Sequence, residues 1–269
     1  MDAFLRDRLP ARVPVEHWLA EGRFVDAAGT PLAPGAPYTP ATFVWFHKDL
    51  RPEPAFPGEV PVLYRDERIV VVDKPHFLAT TPGGMHVRAT VLIMVRTALG
   101  LPELAPAHRL DRLTAGVLLF TTTRQWRATY QRVFQERAAS KTYEALAPAL
   151  PGPWPRTVRN HLVKPRGSLQ AIEAPDAAPN AETQITLVES RGDLARYRLE
   201  PVTGRTHQLR VHLAGLGAPI LGDPLYPAVS DAPEDPASPL RLVARTLAFT
   251  DPVDGVPRSF ASRIALDWP

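Results

Sequence analysis

The sequence predicts an α+β protein, an enzyme or a binder with a basic cleft, and three observations predict it. Residues 116–120 form a short, continuously apolar run with β-branched and aromatic members, the pattern of a buried strand. Residues 183–190 and 195–200 alternate apolar and polar around Arg191-Gly-Asp, the pattern of an antiparallel hairpin. Residues 124–137 place Trp126, Tyr130, Val133 and Phe134 on one helical face and arginines and glutamines on the other.

The totals limit the function. The 269 residues are 45% hydrophobic and 22% charged, enough for one large domain or for one domain with an appendage. The net charge of +3 suits a nucleic-acid partner without requiring one. Basic residues are almost all arginine, which binds phosphate bidentately and stacks on bases; lysine occurs only at 48, 74, 141 and 164. The absence of cysteine excludes disulfides, thiolate metal sites and a cysteine nucleophile. The first residues lack an apolar signal core and no run approaches 18 apolar residues, so a cytoplasmic location is expected.

Residues 1–58 read as a small appendage: a short helix in 15–24, a turn-rich stretch from Asp26, a strand at 41–46 and a Pro-rich linker at 51–58. This order resembles the small RNA-binding domain found ahead of many bacterial RNA-modifying enzymes; a packing extension of the main domain is the competing reading. The main domain, 59–269, opens with strands at 60–64 and 69–73. Pro82-Gly83-Gly84 reads as a turn, because no Gly-Lys-Ser/Thr follows. A helix is expected at 90–99, stopped by Gly100 and Pro102, and a strand at 141–146 with Tyr143 opposite Thr142 and Glu144. Residues 148–182 predict irregular hairpins. Strong strands are expected at 240–249 and 257–266.

Two stretches carry chemistry. Ala107-His-Arg-Leu-Asp-Arg-Leu-Thr delivers His108, Arg109, Asp111 and Arg112 onto the edge of the buried strand, where a scaffold presents side chains to a cleft. Two neighbouring guanidiniums favour an ionised Asp111; a structural ion pair is the plainer alternative. In the second, Thr203-Gly-Arg-Thr-His-Gln-Leu-Arg-Val-His-Leu, Thr206 is a candidate N-cap, and Arg205, His207, Gln208 and Arg210 crowd the first turn of a helix, a setting for anions. His207 and His212 are five apart and do not share a face as a zinc pair would, so no metal is expected.

His108-Arg-Leu-Asp-Arg-Leu-Thr-Ala-Gly-Val resembles the catalytic signature of the RluA-type pseudouridine synthases. In the right order, so do Val71-Val-Asp-Lys-Pro, Lys141-Thr-Tyr-Glu-Ala, Gly204-Arg-Thr-His-Gln-Leu-Arg-Val-His-Leu and Pro219-Ile-Leu-Gly-Asp-Pro-Leu-Tyr. The resemblance spans 60–266 and implies a mixed, mainly antiparallel sheet with flanking helices and a central catalytic cleft. It implies isomerisation of specific uridines to pseudouridine in structured rRNA or tRNA, by a flipped base and without a cofactor. Asp111 is then the essential carboxylate acting on the ribose, Tyr143 the tyrosine against the base, and Arg210 the arginine that pairs with the Asp. Arg109 can enter the RNA where the base has left, and His108, Arg112, Arg205, His207 and Gln208 complete the expected RNA-binding set. A monomer is expected. Three positions depart from the family pattern: Ala115 replaces the commoner Ser, Val243 stands where His is frequent, and Asp251 precedes Pro252 where His is usual. A glycosidase would need a second carboxylate across the bond, and Glu144 lies opposite Tyr143 on its strand. A binding protein with lapsed catalysis would have no need to keep Asp111, Tyr143 and Arg210 together.

Overall fold

The computed structural model describes residues 1–269 apart from Arg12, Lys48, Leu50, Arg51, Pro52, Pro54, Gly84 and Met85. Parts of the expected linker and of the Gly83-Gly84 turn therefore lie outside the described residues. The chain divides into two compact units, Met1–Pro52 and Glu53–Pro269. The division falls ahead of the expected boundary at 58. Glu53 belongs with the second unit because its carboxylate accepts the backbone N–H groups of Val87 and Arg88.

The first unit holds α1 (Asp2–Arg8), α2 (Val15–Ala20), β1 (Phe24–Val25) and β2 (Trp45–Phe46). The sequence reading found α2 but not α1, whose single buried residue, Leu5, leaves no apolar period to read. Leu5, Val15, Leu19 and Phe24 make its small core.

The second unit runs β3 (Val62–Arg65), β4 (Ile69–Lys74), α3 (Val91–Leu99), β5 (Ala105–Pro106), β6 (Ala115–Thr121), α4 (Arg124–Gln135), β7 (Ser140–Pro148) and β8 (Arg156–Asn160). It continues with β9 (Leu162–Val163), β10 (Ile172–Glu173), β11 (Ala181–Arg191), β12 (Leu194–Pro201), α5 (Gln208–Gly215), β13 (Leu242–Thr250) and β14 (Pro257–Ala261). One sheet is ordered β3-β4-β6-β13-β7-β12-β11-β8, with β5 on β6 and β14 on β13. Every pairing in it is antiparallel except β6 with β13, so the fold is α+β with a mixed, largely antiparallel sheet. β9 and β10 form a separate ribbon.

The apolar runs of β4 and β6 are continuous because both faces are covered. Val70, Val72, Leu118 and Phe120 pack with Val91, Leu92 and Val95 of α3. Ile69, Val71, Val117 and Leu119 pack instead with Tyr130 and Val133 of α4. Each fully buried aliphatic side chain contributes roughly 1.5–3 kcal/mol. The ends of α3 follow the sequence signals: Thr90 caps Ile93 N–H through its hydroxyl, and Gly100 takes the left-handed conformation that closes the last turn.

β6 and β13 meet over two pairs, Ala115 with Val243 and Gly116 with Ala244. Beyond them β13 exchanges β6 for β14 along the same edge. Gly116 has φ +115°, and a Cβ there would lie 2.2 Å from the Ala244 carbonyl oxygen, so only glycine allows this approach. Ala115 and Val243, two of the departures from the family pattern, are register partners. They are fully buried with Leu146 and Leu266, so an apolar pair occupies one spot on adjacent strands. The third, Asp251, is buried at the end of β13, where it accepts the Tyr130 hydroxyl at 3.0 Å and pairs with Arg68 and Arg258 at 3.4 Å.

Candidate active site

The sheet register sets the site. Gly116 pairs with Lys74 on one side and Ala244 on the other, Ala244 with Tyr143, and Tyr143 with Leu199. One row across five strands thus carries Lys74, Gly116, Ala244, Tyr143 and Leu199. Asp111 stands just before β6, above this row.

The loop carrying Asp111 is held by its backbone. The Thr80 hydroxyl donates to Leu110 C=O at 2.8 Å, Lys74 Nζ to Arg112 C=O at 2.9 Å, and His76 Nδ1 lies 2.7 Å from Leu113 C=O. Lys74 Nζ also donates to the carbonyls of Pro75 and Leu78, so all three of its protons have acceptors. Burial pushes the Lys74 ammonium down to about 7, against the opposing pull of Asp111. Sequence reasoning assigned Lys74, His76 and Thr80 no role. Lys74 stood inside a quoted motif, but contacts to backbone carbonyls have no sequence pattern.

Asp111 lines a cavity of about 720 Å³ together with His108, Arg109, Lys141, Tyr143, Gly204 and Arg205. A smaller recess behind it, about 90 Å³, is lined by Asp111, Thr114, Tyr143, His207, Arg210 and Leu242. Burial, and then the charge of Asp111, raises the Tyr143 hydroxyl well above its ordinary range, so it keeps its proton.

Arg210 corrects one expectation. Its hydrogen bonds go to Asp223, not Asp111: Nε reaches one carboxylate oxygen at 2.7 Å and Nη2 the other. Both side chains are buried, at 2% and 0% exposure, so the pair is desolvated and bidentate. Asp223 also accepts Leu225 N–H at 2.8 Å and Tyr226 N–H at 3.1 Å. Asp223 stands in one of the motifs that carry the family resemblance, but its pairing with Arg210, thirteen residues away, has no sequence pattern. The Tyr226 ring lies under the guanidinium at 5.2 Å. Its hydroxyl donates to Ala171 C=O at 3.0 Å and accepts Ala171 N–H at 2.7 Å, which leaves His207 Nδ1 as donor to it at 2.9 Å. Among the described residues Asp111 enters no salt bridge, and Arg210 Nη1 makes no hydrogen bond.

The expected RNA-binding residues divide. Arg109 and Arg205 line the large cavity. Arg112 is spent on Glu234 and the Phe77 carbonyl, away from Asp111. His108 stacks on Phe134 at 4.4 Å and accepts Leu119 N–H at 3.2 Å through Nε2. Burial, with Lys141 adding to it, pushes its pKa down to about 3, so the ring is neutral and offers phosphate no charge. Gln208 is turned inward: it accepts from Thr203 and from Arg205 N–H, donates to Glu182 C=O and Thr183, and is 3% exposed. The N-cap of α5 is His207, with φ +57°, and not Thr206.

The family model described as RNA pseudouridylate synthase matches residues 68–215. The chain belongs to this family. As an RNA pseudouridylate synthase it isomerises uridine to pseudouridine in RNA. It is 37% identical over 205 residues to the dual-specificity RNA pseudouridine synthase RluA of Salmonella typhi, covering 74% of this chain and 90% of that one. It is 36% identical over 204 residues to the RluA of Escherichia coli strain K12, with the same coverage. Its structure matches human RNA pseudouridylate synthase domain containing 4 with a TM-score of 0.62 at 27% identity, over 76% of this chain and 88% of that one. Human RNA pseudouridylate synthase domain containing 1 matches at 0.63 and 25%, over 79% and 86%. Among the described residues no helix is long and apolar enough to cross a membrane.

Proposed function

We propose that this pseudouridine synthase modifies specific uridines in structured rRNA or tRNA, with Asp111, Tyr143 and Arg210 as its catalytic residues. The observation carrying this reading is the convergence of all three side chains on one recess, with the Asp111 carboxylate in no salt bridge among the described residues. An unpaired carboxylate has its lone pairs available to the ribose of a flipped uridine, as nucleophile or as base. Tyr143 lies against the base, and once C5 has joined C1′ its hydroxyl oxygen takes the C5 proton as it releases its own hydroxyl proton to solvent. Arg210 is oriented by Asp223, which supports presentation of its free Nη1 to Asp111 or to the uracil. Arg109 fills the gap that the extruded base leaves, while Arg205 and His207 help seat the RNA.

The enzyme acts as a cytoplasmic monomer without a metal or cofactor, since an isomerisation consumes no reactant. The curated relatives are named dual-specificity RNA pseudouridine synthases, which supports more than one RNA target for this enzyme. The first unit contacts RNA; Phe43 and Trp45 on it are 75% and 60% exposed, suited to stacking on unpaired bases. The test is tritium release from unmodified rRNA and tRNA transcripts labelled at uracil C5. Wild type is expected to release tritium and Asp111→Ala none, with RNA affinity largely retained. Turnover by the variant would refute the assignment of Asp111.

A further inference from the structure

We propose that Lys141 and Arg137, with Arg205 opposite, form an anion subsite that takes the phosphodiester flanking the target uridine. The inference rests on the RNA reading of the site.

The large cavity has two ends. Asp111 and Tyr143 lie at the inner end, which opens into the small recess and receives the nucleoside. Lys141, Thr203, Gly204 and Arg205 line both the large cavity and the recess and so flank the passage between them, while Gln131 and Gln135 of α4 and Arg137 just beyond it line the large cavity alone. A nucleotide bound at the inner end must lead its backbone out past these residues.

Charge there is uncompensated. Arg109, Arg137, Lys141 and Arg205 all line the cavity, and Asp111 is its one carboxylate. Among the described residues none of the four enters a salt bridge, whereas Arg68, Arg210, Arg245 and Arg258 in the same unit each hold a carboxylate. Glu182 feels the charge of Arg137, but its carboxylate is engaged by Arg159 at 3.0 Å. Arg137 is exposed and Lys141 half-buried, so both cations are open to an anion that enters the cavity. Burial, and then the charge of Arg137, lowers the Lys141 ammonium from its ordinary range.

The backbone also favours this placement. Arg137 has φ +59°, the left-handed conformation in which the chain leaves α4 and turns toward β7. Gly204 faces Lys141: a Cβ at 204 would lie 3.9 Å from Nζ. The Arg205 Nε is tied to Asn180 C=O at 3.2 Å, which fixes the third cation on the opposite wall.

The experiment is equilibrium binding of a fluorescein-labelled RNA stem–loop with a uridine-containing loop, over a series of KCl concentrations. Wild type is compared with Lys141→Gln, Arg137→Gln, the rescue variant Arg137→Lys, and Arg191→Gln, which alters a surface arginine paired with Glu189. Losing one phosphate contact lowers the slope of log K against log salt by about 0.7–0.9. That drop is expected for Lys141→Gln and Arg137→Gln, with Arg137→Lys and Arg191→Gln close to wild type. A scan of single methylphosphonates through the loop then locates the phosphate. At one linkage beside the target the neutral substitution weakens wild type and has no further effect on Lys141→Gln. Unchanged slopes in folded Lys141→Gln and Arg137→Gln would overturn the subsite, and so would a methylphosphonate penalty equal in wild type and variant. Retained tritium release in that case leaves the isomerase reading standing, whereas no salt-dependent RNA binding by wild type would remove the reading itself.

Discussion

Replacing Gly116 by alanine tests the register that builds the site. The new methyl would sit 2.2 Å from the Ala244 carbonyl oxygen and 2.7 Å from its nitrogen, both backbone atoms that no rotamer change can move. An L-residue at φ +115° adds conformational strain of about 1–3 kcal/mol. Overpacking against the backbone adds about 1–3 kcal/mol more. The expected destabilisation is therefore about 2–6 kcal/mol. At about 2–4 °C per kcal/mol for a unit of this size, its middle value lowers the melting temperature by about 8–16 °C. Relief requires β13 to move off β6, and Ala244 is the register partner of Tyr143, so Tyr143 moves away from Asp111. Urea titration reads the stability, with the slope held common. Single-turnover isomerisation reads the geometry. Gly215→Ala in α5 is the control, since nothing lies within 4 Å of a Cβ there. A Gly116→Ala protein with the wild-type urea midpoint and rate would refute the argument that this contact sets the site.

Asp223→Asn keeps the shape of the side chain but leaves Arg210 buried without its counter-charge. A stability loss of about 3–5 kcal/mol is expected by urea denaturation, with isomerisation falling alongside, and a loss below about 1 kcal/mol would contradict the account. Tyr143→Phe keeps the packing of the ring and removes the hydroxyl. Product formation is expected to slow by about 10²-fold or more with RNA affinity largely kept, and a normal product yield would remove the hydroxyl from the mechanism. His108 titrates near 3 when folded against an ordinary 6.5. Between those values the unfolded chain takes up a proton that the folded ring refuses, so stability falls as pH drops below about 6.5 and is unaffected by this group above it. His108→Gln, which can still accept Leu119 N–H, is expected to lose less stability than wild type between pH 7.5 and pH 5; equal losses would exclude His108 as a source of acid lability.

The elements with a strong period or cap were legible from the residues alone. The run at 116–120 becomes β6, the aromatic stripe becomes the buried face of α4, and Thr90 and Gly100 bound α3 as the capping rules require. Asp111, Tyr143 and Arg210 stand in stretches that read as motifs, and the structure brings the three to one recess. What the residues did not reveal depends on contacts distant in sequence. Arg210 is committed to Asp223, Arg112 to Glu234, and Gln208 to the backbone of β11, so three side chains expected to face the cleft have other partners. The same holds for α1, too short to show a period, and for Lys74, whose acceptors are carbonyls and therefore independent of residue type.

Fastening of the 110–113 loop through carbonyl oxygens has a consequence for how the enzyme can diversify. Every residue has a carbonyl, so Lys74, His76 and Thr80 would grip this loop whatever side chains it carried. The loop that carries the Asp111 carboxylate is held still without that carboxylate serving as its anchor. Arg109 beside it is thus free to be exchanged while the mount for Asp111 stays as it is, whereas Arg112 is committed to Glu234.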